Sequence, residues 1–314
     1  DMMLESCRQA GVLLMDGQMW PHHPRTEAML GALASLGPVR RATCCLCFKA
    51  PDDFWQTNIR ADASLEPLGS LGDLGWYCAA ALDAVLAPNG ELPVRVCAHI
   101  EWSGGSAGDG SASGGCGCGD EGGAPGSAPA SASSPAGVPI AAHALLVYPS
   151  GASGSFYCGF DVARRDFLEV HGAVGSLRCD DWVHPGEHDT FGASVAQLRA
   201  APPPRQHAGF RVRQAGQEEW EDRHAEPCWQ EVRMVQRFAA AAMAAKAPGL
   251  AHPSPVPPTE APPDRAAPPD PPLAQTNLLF DAEQRRWGGG ARRVQGILEA
   301  CLVAGGSGEL KGGL

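Results

Sequence analysis

The chain has 314 residues, which allows about two domains by length, and 44% of them are apolar, so it can bury a sizeable core. It carries 24 Lys and Arg against 35 Asp and Glu, a net charge of −11 that argues against nucleic acid and anionic membrane surfaces as main partners. No run of 18 apolar residues occurs and no secretory leader is read, so neither a transmembrane helix nor export is expected.

In chain order, residues 1–10 suit a short helix and Gly11 to Met15 a buried strand. Arg25 to Leu36 places Met29, Leu30, Leu33 and Leu36 at helical spacing, and Gly37-Pro38 stops the helix. Val39 to Phe48 reads as a strand, Leu71 to Leu86 as a helix rich in Ala and Leu. Strands follow at Val94–Trp102 and Ile140–Tyr148, then at Ser155–Val162, Phe167–His171 and Ser176–Trp182, with a short one at Phe210–Val212. Gln217 to Asp222 is an acidic, solvated run. Glu231 to Lys246 and Val294 to Leu302 are the last helices. From residue 94 the strands succeed one another without helices between them. That pattern predicts an α+β fold, a mainly antiparallel open sheet with helices on one face.

The 39 Gly and 28 Pro, about a fifth of the chain, need somewhere to sit outside packed elements. Residues 103–137 are almost wholly Gly, Ser, Ala, Pro and Asp, and residues 248–272 hold eleven prolines. Both read as unstructured insertions, since neither composition buries enough surface to offset its ordering entropy. The first contains Gly117-Cys118-Gly119-Asp120-Glu121-Gly122, formally G-x-G-x-x-G. No strand precedes it and no helix follows, so it is not a dinucleotide site.

Twelve cysteines in 314 residues fall below disulfide-scaffold density and read as buried reduced thiols of an intracellular protein, with cytoplasm and plastid both open. Cys44-Cys45-Leu46-Cys47 contains C-x-x-C. On a strand Cys44 and Cys47 point to opposite faces, and no second pair stands at finger spacing, so zinc is not expected. Asp180, Asp181, His184 and His188 form a loop cluster that is read as no metal site. His22 and His23, beside Pro24, read as a solvated loop.

Four collinear blocks carry a family resemblance. Met15-Asp16-Gly17-Gln18-Met19-Trp20-Pro21-His22-His23-Pro24-Arg25-Thr26 is the first. Phe54-Trp55-Gln56-Thr57-Asn58-Ile59-Arg60 with Leu68-Gly69-Ser70-Leu71-Gly72-Asp73-Leu74-Gly75-Trp76-Tyr77-Cys78 is the second. The third is His171-Gly172-Ala173-Val174-Gly175-Ser176-Leu177-Arg178-Cys179-Asp180-Asp181-Trp182. Glu231 to Phe238 with Trp287 is the fourth. Together they resemble the Gfo/Idh/MocA oxidoreductases, nearest to a plant and algal branch and more distantly to dimeric dihydrodiol dehydrogenase. The resemblance implies a Rossmann domain followed by an open-sheet domain. Residues 1–18 would be the last helix and strand of the Rossmann domain, and 19–314 the sheet domain with its two insertions. The family's G-x-G-x-x-G and its E-K-P lysine have no counterpart. The sequence has only Lys49, Lys246 and Lys311, none followed by Pro. A truncated chain and a lost nucleotide domain both remain open.

The resemblance further implies that Asp73 and Tyr77, one helical turn apart, face the substrate. Tyr77 would exchange a proton with the substrate oxygen while hydride passes to or from NAD or NADP. Arg60, Trp20 and Trp76 would contact substrate. A Tyr on such a helix otherwise packs with its hydroxyl at the surface. Asp73 has a helix cap as its equal alternative, and Arg60 an ordinary surface position. A free phenol, with a pKa of ~10, is a poor base unless a cation lowers it. The chain as given is therefore expected to show no appreciable turnover and to bind the dinucleotide poorly. The implied function is hydride transfer on a sugar, polyol or dihydrodiol. The alternative is a non-catalytic dimerisation or binding module. A homodimer is expected through the uncovered sheet face, with Phe156, Cys158 and Phe160 as its apolar side.

Overall fold

The computed structural model describes residues 2–87, 90–103, 137–185, 208–245, 289–305 and 310–311. The chain divides into two compact units, residues 1–17 with 231–292, and residues 18–230 with 293–314. In the first unit, Met2–Gln9 forms helix α1, and Gly11 closes it at a positive φ of 64°. Residues 12–15 do not form the expected strand. Val12 is exposed, and of these four residues Leu13 alone is buried. Val12 N instead donates back to the Cys7 carbonyl (2.9 Å), which ties the segment to the end of α1.

The second unit is built on one sheet. Its strands are β1 (Val39–Cys47), β2 (Arg95–Trp102), β3 (Pro139–Val147), β4 (Ser153–Gly159), β5 (Arg165–Gly172), β6 (Gly175–Cys179), β7 (Gly209–Gln214), β8 (Glu221–His224) and the two-residue β9 (Leu310–Lys311). Their order is β8-β7-β6-β5-β1-β4-β3-β2-β9, and every pairing is antiparallel except β1 with β4. The first strand in sequence is thus inserted between β4 and β5. Residues 160–164 must cross the end of β1 to join them. The crossing is held by backbone bonds from Phe48 N to Gly159 O (3.1 Å) and from Ala50 N to Phe160 O (2.8 Å). The acidic run ends in β8, whose charged side chains line the sheet edge; charges there discourage pairing with another chain.

Three helices cover one face. Helix α2 (Pro24–Ala32) packs Met29 toward Leu168, Val170 and Leu177 of β5 and β6. After the one-turn helix α3 (Phe54–Thr57), helix α4 (Trp76–Leu86) lies across β1 and β4. Gly154 lets it approach, because a Cβ there would meet Leu86 Cδ1 at 2.8 Å. Gln230–Ala245 forms helix α5, and residues 289–305 form helix α6. The 293–305 part of α6 adds Val294, Ile297, Leu298 and Cys301 to the core, and Arg293 binds Asp83 of α4 (Nη2–Oδ2 2.8 Å). Burial pushes the Asp83 carboxyl upward, and the guanidinium offsets that cost.

Strand alternation corrects the expected dimer face. Phe156 and Cys158 point under α4 and, like Phe160, are buried in the core. A Cβ on Gly75, at the foot of α4, would meet Cys158 Sγ at 3.2 Å. The uncovered face instead carries Thr43, Ser155, Tyr157, Phe167, Glu169 and Arg178. The ten cysteines among the described residues are thiols, none in a disulfide. No helix among the described residues is long and apolar enough to cross a membrane. Both low-complexity stretches, the formal G-x-G-x-x-G, His188 and Trp287 lie outside the described residues.

Candidate active site

Three segments of the second unit meet at the start of α4. The first is the approach to α2. Trp20–His22 forms a single 3₁₀ turn, and His23 caps α2 by accepting Arg25 N at Nδ1 (2.9 Å). His22 and His23 are buried, not solvated as expected, because Arg25 draws the turn onto the sheet. The Arg25 side chain is 0% exposed. It donates from Nη1 to Asp181 Oδ1 (2.6 Å) and from Nη2 to the carbonyls of Asp181 (2.6 Å) and Trp182 (3.1 Å). Trp20 stacks edge-on against Trp182, centroids 5.2 Å apart. Its indole N–H donates to Gln18 Oε1 at 2.6 Å, and Gln18 Nε2 donates to the Trp76 carbonyl at 3.4 Å. Trp20 is therefore buried and holds the turn in place, which does not fit the expected direct contact with substrate.

The second segment follows β1. Asn58 caps the short 3₁₀ turn Ile59–Ala61 by accepting Arg60 N (3.0 Å). This aims the Arg60 guanidinium at Asp73, Nε to Oδ2 2.7 Å, with the two side chains 38% and 21% exposed. A groove of about 410 Å³ runs along the same loop, lined by Trp55, Gln56, Thr57, Asn58 and Asp62 among others.

The third segment is the Gly-rich turn. Gly69 takes φ +47°, and a Cβ there would collide with the Pro139 carbonyl, so this position requires glycine. Leu71–Gly75 is then a π turn, not the first turn of a regular α-helix. π turns recur at functional sites. Its wider spacing carries the chain into α4 with Leu74, Gly75, Cys78 and Ala79 buried, and Asp73, Trp76, Tyr77 and Ala80 half-buried. Asp73 and Tyr77 share that partly open strip, but their partners differ. Asp73 meets Arg60 and caps no helix end, whereas Tyr77 Oη donates to Met19 Sδ at 3.2 Å. Trp76 packs against the core beside them.

Sequence reasoning placed Tyr77, Asp73, Arg60, Trp20 and Trp76 in one neighbourhood but missed Gln18, Met19 and Arg25. Arg25, between His23-Pro24 and Thr26-Glu27, carries no local signal of its burial. Gln18 and Met19 carried no signal beyond their block. Asp180 lies elsewhere, bound by Arg178 (2.8 Å) and Arg211 (2.7 Å), and His184 meets Asp166 at 3.3 Å. With Asp181 committed to Arg25, the described members of that loop cluster each face a different partner.

The glycines at the start of α4 do not form a phosphate cradle for the dinucleotide that the resemblance implies. Such a site needs tight-turn glycines that expose backbone N–H groups at a helix N-terminus. At the start of α4, Gly69 abuts Pro139, Gly72 abuts Glu66 and Leu68, and Gly75 abuts Leu71 and Cys158. These glycines serve protein packing and leave no phosphate cradle between them.

Residues 32–178 match the family model of the GFO/IDH/MocA C-terminal domain. Among solved structures, the chain is similar to a 3-ketoreductase from Actinomadura kijaniata with NADP and TDP-benzene, at 17% identity over 94% of this chain and 63% of that one, TM-score 0.60. It is similar to an inositol dehydrogenase homolog with NAD+ from Azotobacter vinelandii, at 15% identity over 98% of this chain and 68% of that one, TM-score 0.62. An aldose-aldose oxidoreductase from Caulobacter crescentus with glycerol matches at 17% identity over 98% and 67%, TM-score 0.55. At these identities the likeness is one of fold.

Proposed function

We propose that the chain, whose residues 32–178 match the GFO/IDH/MocA C-terminal-domain model, supplies the substrate side of a nicotinamide-dependent oxidoreductase acting on a sugar, polyol or dihydrodiol. The observation that carries this reading is the Tyr77 hydroxyl, held at the half-open strip of α4 by a weak thioether acceptor. A substrate oxygen competes easily with Met19 for that hydroxyl and receives or returns its proton there. Arg60, braced by Asp73, and the polar groove beside it would hold neighbouring hydroxyls of the substrate. Two of the proteins of similar fold are named for aldoses and inositol, which supports the class.

Hydride exchange at the carbon bearing that oxygen is what a nicotinamide would supply when bound. Lys49 donates to the Asp161 carbonyl (3.2 Å), and none of the chain's three lysines precedes Pro as the lysine of the resemblance does. The chain as given should accordingly show no appreciable turnover. The full-length form, assayed with NADH and NADPH over ketoses, polyols and dihydrodiols, should turn over at least one of them. A folded full-length form inert to the whole panel would overturn the reading.

Association of two copies through the uncovered face is part of the same proposal. That face mixes polar and charged groups with Leu145, Tyr157 and Phe167, so the pairing would combine hydrogen bonds and charge with apolar contact. A binding module without catalysis is the second reading, favoured by that same uncovered face. It predicts a dimer in sedimentation together with an inert full-length form.

A further inference from the structure

The sequence pairs Cys44 with Cys47 as C-x-x-C, but the fold pairs Cys45 with Cys47. On β1 Cys44 and Leu46 turn under α4, where Cys44 Sγ lies 3.6 Å from the Cys78 carbonyl. Cys45 and Cys47, two residues apart, share the opposite face, and their sulfurs are 3.6 Å apart. Cys45 stands in register with Tyr157 on one side and Phe167 on the other. The 160–164 crossing reaches over Cys47, whose Sγ lies 3.5 Å from the Ala163 carbonyl.

We propose that Cys45 and Cys47 form a two-thiol site for a thiophilic d10 divalent ion of the zinc and cadmium class, on the sheet face opposite the candidate active site. The spacing suits coordination. Two metal–sulfur bonds of ~2.3 Å at a tetrahedral angle set the sulfurs ~3.8 Å apart, a small adjustment from the distance seen. It does not suit a disulfide. Residues i and i+2 of an extended strand have Cα atoms ~6.6 Å apart and parallel Cβ vectors, at the far edge of disulfide geometry. The two remaining positions of the ion would be taken by water or by a carbonyl such as that of Ala163.

Position separates this pair from the other thiols: Cys44, Cys78, Cys158, Cys179 and Cys301 belong to the core under the helices, whereas Cys45 and Cys47 lie side by side on the face opposite α4. Binding exchanges the two thiol protons for the ion, releases them to solvent and changes no oxidation state. The inference is independent of the proposed oxidoreductase activity.

Cadmium is the probe, titrated into the reduced chain and followed by thiolate-to-cadmium charge-transfer absorbance. The wild type should bind with an affinity that Cys45→Ser and Cys47→Ser each lower at least 10-fold. Cys97→Ser, on β2, should leave it unchanged. Equal affinity in all four proteins would overturn the site. A readout on the wild type avoids any folding defect of the variants: cadmium should protect Cys45 and Cys47 together from alkylation, as mapped by mass spectrometry. Alkylation of both at an undiminished rate would overturn the proposal as well.

Discussion

The two faces of the sheet are made from alternate residues of the same strands, yet they differ in nearly everything that matters chemically. Under α4, Cys44, Leu46, Phe156 and Cys158 are sealed into the core. One residue along, Thr43 shares a hydrogen bond with Ser155 (3.1 Å), and Arg178 binds Asp180 and Glu169 beside the half-buried Tyr157. The covered face takes its stability from packing and presents the site through the helix laid on it. The uncovered face mixes Thr43, Ser155, Glu169 and Arg178 with Cys45, Tyr157 and Phe167. A one-residue shift of β1 would exchange these roles wholesale.

Substitutions on neighbouring residues break this comparison most sharply. Phe156→Ala should destabilise by about 3–5 kcal/mol through the cavity it leaves, visible as a large fall in the urea midpoint. Ser155→Ala, next to it but on the other face, should cost no more than about 1 kcal/mol. Equal losses would mean that the faces are not distinct. Arg25→Met should also cost about 3–5 kcal/mol, because the guanidinium is buried against Asp181 and two carbonyls. A near-wild-type melting temperature would show that this brace is idle.

Gln18→Leu should cost about 1–3 kcal/mol by stranding the buried Trp20 N–H, and should broaden the Met19 methyl resonance. A sharp, unshifted Met19 signal would deny Gln18 its positioning role. The smallest effect is expected at Asp180. Burial alone would raise its carboxyl, but hydrogen bonds from Arg178 and Arg211 hold it below the ordinary value of 3.8. A lowered folded value gives stability that is present above 3.8 and is lost as pH falls through the folded value. Asp180→Asn should therefore lose at most about 1 kcal/mol at neutral pH and flatten the acid limb of the melting curve. An unchanged acid limb would assign that limb to other carboxylates.

Local patterns carried much of this fold into the sequence. The alternation in Ile140–Tyr148 and the helical spacing of Met29 and Leu33 mark elements that form where expected. What stayed hidden depends on partners distant in sequence. Nothing local says that β1 slides between β4 and β5, and without that pairing Phe156 and Phe160 look like an outer face. His22 and His23 read as solvated because their burial is imposed by Arg25 reaching Asp181, 156 residues away. Gly11 to Met15 has strand composition, but its first residues bond back to α1 through Gly11 N to Arg8 O and Val12 N to Cys7 O. At the candidate site, Asp73 and Tyr77 stand out only through the family resemblance; their spacing alone fits ordinary packing and capping equally. The π turn between them was not legible, since it arises where the glycines pack against Pro139 and Cys158.

The most direct measurement is the turnover of full-length Tyr77→Phe against the wild type, with cofactor affinity followed in parallel. The account predicts a fall in kcat of ~10²–10⁴-fold with cofactor binding nearly unchanged. Turnover equal to that of the wild type would remove Tyr77 from the chemistry and contradict the account.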